Sequence, residues 1–201
     1  MNKLKKSVIW VRRARCAGSS IKKILQEKNI LQMWTSNLDF IDKSKILLVP
    51  GRNFESFKKN NIEYFDESFK FSVIRNPWDR FISGWKHCLK KDSFLKNKNI
   101  KDILLDLPTI EKHPYDYWHL TKTLSETFIE NNKNIMDYII KFENLQNDFD
   151  LLCDKIGIER MILPHENGTL HNHYSNYFDE ETKEIFFKKY KKDIEYFGYK
   201  Y

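Results

Sequence analysis

Residues 71–85, FSVIRNPWDRFISGW, constrain this chain more than any other stretch, because they join a buried strand to an amphipathic helix and set an arginine at the joint. Phe71, Val73 and Ile74 form a short apolar run, and Asn76-Pro77 ends it. Pro77, with its φ fixed and no N–H to satisfy, suits the first turn of a helix. From there Phe81, Trp85 and Cys88 recur three or four residues apart as one apolar stripe, while Asp79, Arg80, Ser83, Lys86 and Lys90 tend toward another side. Arg75 and Ser83, eight residues apart, can then face one anionic ligand. Taken alone, a buried strand followed by a surface helix with ordinary charges reads equally well.

A second joint of the same kind lies near the N-terminus. Val8 to Val11 is apolar and rich in β-branched residues, and a helical pattern with Ile21, Ile24 and Leu25 on one face follows from Ser19. Between them run Arg12-Arg13-Ala14-Arg15-Cys16-Ala17-Gly18. Small residues let backbone N–H groups approach an anion, a helix N-terminus adds positive potential, and Ser19 and Ser20 supply hydroxyl donors. The loop is not G-x-x-x-x-G-K-[ST], since it has one glycine and no lysine directly before the serines. A helix-capping serine after a basic turn is the plainer alternative.

Together the two joints resemble the signatures of the sulfotransferases that use 3′-phosphoadenosine 5′-phosphosulfate (PAPS), particularly their carbohydrate branch. That family's 5′-phosphosulfate loop, I-P-K-T-A-G-T-S, is similar position for position to Arg13 through Ser20, and its 3′-phosphate motif, R-N-P-W-D-R-x-x-S, recurs from Arg75 to Ser83. Phe142-Glu143-Asn144-Leu145 with Asp148-Phe149 resembles its F-E-N-L-x-x-D-F block. Leu163 to Asn167 and Lys192 to Tyr199 resemble its C-terminal blocks, so nearly the whole chain is covered.

The resemblance implies an in-line attack of an acceptor hydroxyl on sulfur, with adenosine 3′,5′-bisphosphate leaving. Arg15 would neutralise the departing oxygen, and Cys16, Ala17, Gly18, Ser19 and Ser20 would hold the 5′-phosphate. Arg75 and Ser83 would hold the 3′-phosphate, and His119, on the family's middle-region histidine, is the first candidate for the general base. His113 is a weaker choice, and His165, His171 and His173 are possible contacts to acceptor or 3′-phosphate. Glu143 reads as a structural cap. Three departures matter: Arg15 replaces the family's lysine, Ala14 replaces its proline, and Thr123 stands where H-x-x-P-Q has glutamine. Arginine keeps the charge but presents a planar fork rather than a compact ammonium. A non-catalytic nucleotide-binding module on the same fold therefore stays open, as, more remotely, does a P-loop-like nucleotide kinase.

The expected fold is α/β, a P-loop-like three-layer sandwich whose central parallel sheet is flanked by helices, with a mostly helical insert. Strands are expected over residues 7–11, 45–49, 71–75 and 137–142, helices over 19–28, 54–60, 77–90, 145–155 and 179–190, and the insert over about 92–130. At 201 residues and 41% hydrophobic composition, one domain over residues 1–201 is the default. Ligands in such sheets bind beyond the carboxyl ends of the strands, where both joints fall.

A net charge of +7 suits a polyanionic nucleotide, but no RNA-recognition or helix-turn-helix pattern accompanies it, so nucleic acid is not expected as a partner. The basic stretch from Lys86 to Lys101, with Lys90, Lys91, Lys96 and Lys98, reads first as a solvated face and second as an acceptor groove. Cys16, Cys88 and Cys153 are odd in number and far apart, which favours a reducing compartment over a disulfide framework. No metal is required by the scheme, and the histidines lack metal-ligand spacing. No apolar run approaches a membrane span, and no signal-peptide core precedes the first strand. The expectation is a soluble cytoplasmic enzyme of bacterial or viral origin acting on a glycan or other hydroxyl-bearing molecule, an excised Golgi-lumenal domain being the alternative. Nothing in the sequence marks an oligomeric state.

Overall fold

A computed structural model describes residues 4–36, 40–90, 94–106, 112–166 and 171–201. The chain divides into two compact units: Met1–Ile74 with Thr127–Asn167, and Arg75–Glu126 with Gly168–Tyr201.

The first unit carries a five-stranded parallel sheet. Its strands are β1 (Val8–Arg12), β2 (Leu31–Met33), β3 (Ile46–Pro50), β4 (Phe69–Ile74) and β7 (Tyr138–Lys141), in the order β2-β3-β1-β4-β7. A parallel sheet covered on both faces calls for continuous apolar strands rather than alternation. VIWV and ILLV are such runs, and Val8 to Val11 and Ile46 to Val49 are all buried. Register pairs Trp10 with Leu48 on one side and Phe71 on the other, and the Trp10 and Phe71 rings stack with centroids 5.9 Å apart. The chain leaves β1 toward β3 and leaves β4 toward β7, so the topological switch lies between the neighbours β1 and β4. Loops at such a switch are where open α/β sheets build ligand sites.

Helix α1 (Gly18–Glu27) follows β1, with Ile21 and Leu25 buried, and α2 (Phe54–Asn60) and α3 (Ile62–Glu67) follow β3. A short antiparallel hairpin, β5 (Ile129–Glu130) and β6 (Lys133–Asn134), leads to β7. Helix α6 (Leu145–Ile156) then packs on β7 and ends at Gly157, whose φ of 84° is the left-handed conformation of a helix stop. At the start of α6, Asp148 accepts from the Lys141 N–H at 2.8 Å and from Asn144 Nδ2 at 2.7 Å.

The second unit is helical: α4 (Pro77–Cys88), α5 (Ile100–Leu105), a π-helical turn (Tyr117–Thr121) and α7 (Glu180–Tyr196). Asn76 caps α4 by accepting from the N–H groups of Trp78 and Asp79, with Pro77 in the first turn as expected. Its core is aromatic: Phe186 lies 5.5 Å from Trp78, 5.3 Å from Phe81 and 4.2 Å from Tyr190 between ring centroids. Helix α7 continues past residue 190 because Tyr190 and Ile194 extend the buried row of Phe186 at four-residue spacing. No helix among the described residues is long and apolar enough to cross a membrane.

Candidate active site

The loop between β1 and α1 holds two non-glycine residues in the left-handed region, Arg15 at φ 62° and Ala17 at φ 51°, on either side of Cys16. Such conformations cost L-residues about 1–2 kcal/mol each and persist where the surroundings impose them, most often at ligand clamps. Left-handed residues within a loop turn successive N–H groups into one concavity, which suits an anion. Ala17 is the N-cap of α1 and offers no side-chain cap, and the first turn of α1 contains no acidic residue. The orphan N–H groups of that turn add to the same electropositive concavity.

Cys16 is buried, with Sγ 3.4 Å from the Ala14 carbonyl. Ser20 is buried, and its Oγ accepts from the Glu166 N–H at 3.2 Å, which leaves the hydroxyl proton available to a second partner. Lys23 pairs with the Glu166 carboxylate at 2.5 Å, and that hydrogen bond raises the Lys23 ammonium above its ordinary range. The segment before residue 167 is thereby tied to the first two turns of α1, a tether that sequence reading did not anticipate. Asn167 itself lies outside the described residues, as does Lys91 of the basic stretch.

In the second unit Arg75 immediately follows the last residue of β4, and its Nε donates to Asp79 Oδ2 at 2.7 Å. Asp79 Oδ1 lies 3.8 Å from Nε2 of His171, so a carboxylate holds the arginine from one side and meets a histidine on the other. Ser83 and Arg80 are both buried. Arg80 Nη2 donates to the Lys122 carbonyl at 2.7 Å, and a Cβ placed on Gly84 would sit 2.2 Å from the His119 carbonyl oxygen. The 117–121 turn rests on this part of α4.

That turn presents His119. Its Nδ1 lies 2.7 Å from the Tyr115 carbonyl oxygen, which only accepts, so Nδ1 is a nitrogen that carries a hydrogen. The ring is flanked by Tyr115 at 4.4 Å and His87 at 4.9 Å, with Tyr115 Oη 2.7 Å from His87 Nε2. Tyr190 Oη bonds the Leu120 carbonyl at 3.0 Å, and the buried Asp193 accepts from the N–H groups of Leu124 and Ser125 at 2.7 Å each. π-helical turns recur at functional sites. Thr123, at the family's glutamine position, is spent structurally, its Oγ1 near the Glu126 N–H and its own N–H on Glu126 Oε2. His113 and His165 are exposed, and His173 caps the turn that begins at Tyr174.

The model of the sulfotransferase family matches residues 5–200 of the chain. No curated protein matches it in sequence. Among solved structures it is similar to a sulfotransferase from Alicyclobacillus acidocaldarius, at 12% identity and a TM-score of 0.59 over 97% of both chains. It is also similar to mouse sulfotransferase SULT7A1 complexed with PAP, at 11% identity and a TM-score of 0.59 over 96% of this chain and 85% of that one. At such identities these likenesses carry the fold.

Proposed function

The chain belongs to the sulfotransferase family, and on that footing we propose that it moves a sulfuryl group from PAPS to an acceptor hydroxyl, with a carbohydrate as the acceptor class. The observation that carries this reading is the 13–18 loop: two left-handed non-glycine residues and an uncapped helix start form a cradle for an anion. The SULT7A1 structure, complexed with PAP, supports the same donor chemistry by likeness of fold.

The donor supplies the sulfuryl group and a bisphosphate leaving group. Arg15 stabilises charge on the departing oxygen, while the N–H groups of residues 16–19 and the hydroxyls of Ser19 and Ser20 hold the 5′-phosphate. Arg75, oriented by Asp79, and Ser83 take the 3′-phosphate, the group that separates PAPS from ATP. Nε2 of His119 accepts the proton of the attacking hydroxyl, a contribution of about 10²–10⁴ in rate. Three cysteines, Cys16, Cys88 and Cys153, odd in number and far apart, support a reducing, cytoplasmic setting.

Calorimetric titration with adenosine 3′,5′-bisphosphate against ATP tests the donor. Equal or better binding of ATP would sink the sulfotransferase reading for this chain. Transfer of radioactive sulfate from PAPS to a panel of glycans tests turnover, with Arg15→Ala as the variant expected to lose it. Tight bisphosphate binding without transfer to any acceptor would favour a nucleotide-binding module, the reading that arginine in place of lysine keeps in view.

A further inference from the structure

Arg12 ends β1 and lies just before the stretch that resembles the phosphosulfate loop. Its side chain turns back over the start of α1: a Cβ placed on Gly18 would sit 2.4 Å from Arg12 Nε, 3.1 Å from Cγ and 3.2 Å from Cδ. Nε is buried and has no hydrogen-bond partner. Burial lowers the guanidinium below its ordinary range, with no opposing charge among the causes. Buried guanidinium N–H groups are ordinarily paired, because an unmet donor to a charged group forfeits its hydration without return.

Among the described residues, no carboxylate pairs with Arg12. The sequence from Met1 to Gln26 contains no acidic residue. The backbone next to Arg12, at Gly51, leads into Arg52, another cation. Glu166, which reaches α1 from elsewhere in the chain, is engaged by Lys23. A guanidinium whose Nε is buried and unpaired, lying across the first residue of a helix whose N-cap offers no side-chain cap, is a donor set suited to an acidic ligand.

Building on the donor assignment above, we infer that Arg12 is a further donor-binding residue, giving its guanidinium N–H groups to the 5′-phosphosulfate at the Gly18 end of the loop. A purely packing role, in which the aliphatic stem covers Gly18 and the charge is incidental, is the competing account.

Ligands that differ only at the 5′ end separate the two. Adenosine 3′,5′-bisphosphate and adenosine 3′-monophosphate are titrated into the unaltered protein, Arg12→Met and Arg12→Lys, with melting of each unliganded protein recorded. Loss of a charge-assisted bond should weaken the bisphosphate by roughly 10- to 100-fold in Arg12→Met. The monophosphate should bind within about twofold of the unaltered protein, since the group it lacks is the one Arg12 holds. Arg12→Lys should fall between, and unliganded Arg12→Met should melt no lower than the unaltered protein, because a buried unpaired donor has gone. Undiminished bisphosphate binding, or parallel weakening of both ligands, overturns the assignment of Arg12 and leaves the donor reading standing. Failure of the unaltered protein to prefer the bisphosphate over ATP overturns both.

Discussion

Gly84→Ala probes how tightly the turn bearing His119 is seated on α4. The added methyl would stand 2.2 Å from the His119 carbonyl oxygen, 3.1 Å from its carbon and 3.2 Å from Leu120 Cδ2. The closest atom belongs to backbone, so no side-chain rotation relieves the contact, and the turn must retreat by about 1 Å to reach van der Waals distance. Retreat is resisted by the bonds from Arg80 to the Lys122 carbonyl and from Tyr190 to the Leu120 carbonyl. Overpacking of this kind costs about 1–3 kcal/mol, offset by about 1 kcal/mol from replacing glycine within a helix. The net loss of about 0–2 kcal/mol corresponds to a Tm lower by up to roughly 8 °C for a chain of this length. A displacement of that size at a proton acceptor should lower kcat on the order of 10²-fold while leaving binding of adenosine 3′,5′-bisphosphate within about twofold. Circular dichroism melts, sulfate transfer from PAPS and calorimetry measure the three quantities. A raised Tm would refute the packing account, and an unchanged kcat with a lowered Tm would refute the role of His119.

Ala17→Gly should raise Tm by about 1–4 °C, because relief of the left-handed alanine at φ 51° outweighs the extra freedom glycine gives the unfolded chain; a lower Tm would mean that the conformation is not strained. Arg15→Lys should retain sulfate transfer where Arg15→Ala loses it, as both cations reach the departing oxygen; equal loss in both would show that the planar fork is required. Burial pushes the Cys153 thiol up to about 12. The native protein should therefore resist iodoacetamide at that position at pH 8, read by peptide mass spectrometry. Because the folded-state value is raised above that of an unfolded thiol, the stabilisation is complete below about pH 9 and is lost as pH climbs toward 12. Rapid native-state alkylation of Cys153 would contradict its burial.

The strands and helices nearest the two joints were legible because each writes a strong local pattern: VIWV and ILLV as runs buried on both faces, Asn76-Pro77 as a cap and first turn. β2 escaped notice since three half-buried residues at a sheet edge carry no period. The burial of Arg80 was not legible for a different reason. Helical spacing reports which residues share a side, whereas a buried arginine is made tolerable by the carbonyl of Lys122, a partner 42 residues away that no periodicity encodes. The loop residues themselves were visible through the motif, but the tether from Glu166 to Ser20 and Lys23 joins positions more than 140 residues apart, and the left-handed states of Arg15 and Ala17 run against ordinary side-chain preference. Local rules are expected to fail where a site imposes its own geometry.

The strand order also bears on how the chain is made. β1, β3 and β4 are neighbours drawn from the first 74 residues, so most of the sheet can assemble early as the chain emerges from the ribosome. The partner of Phe71, by contrast, is Tyr138, 67 residues later, and the whole segment 75–126 must be synthesised in between. Until β7 arrives, β4 offers an open, apolar edge to any other nascent strand. The interval between those two events is the period in which this protein is most exposed to misassembly, and a chaperone acting on it would need to shield β4 more than any other strand.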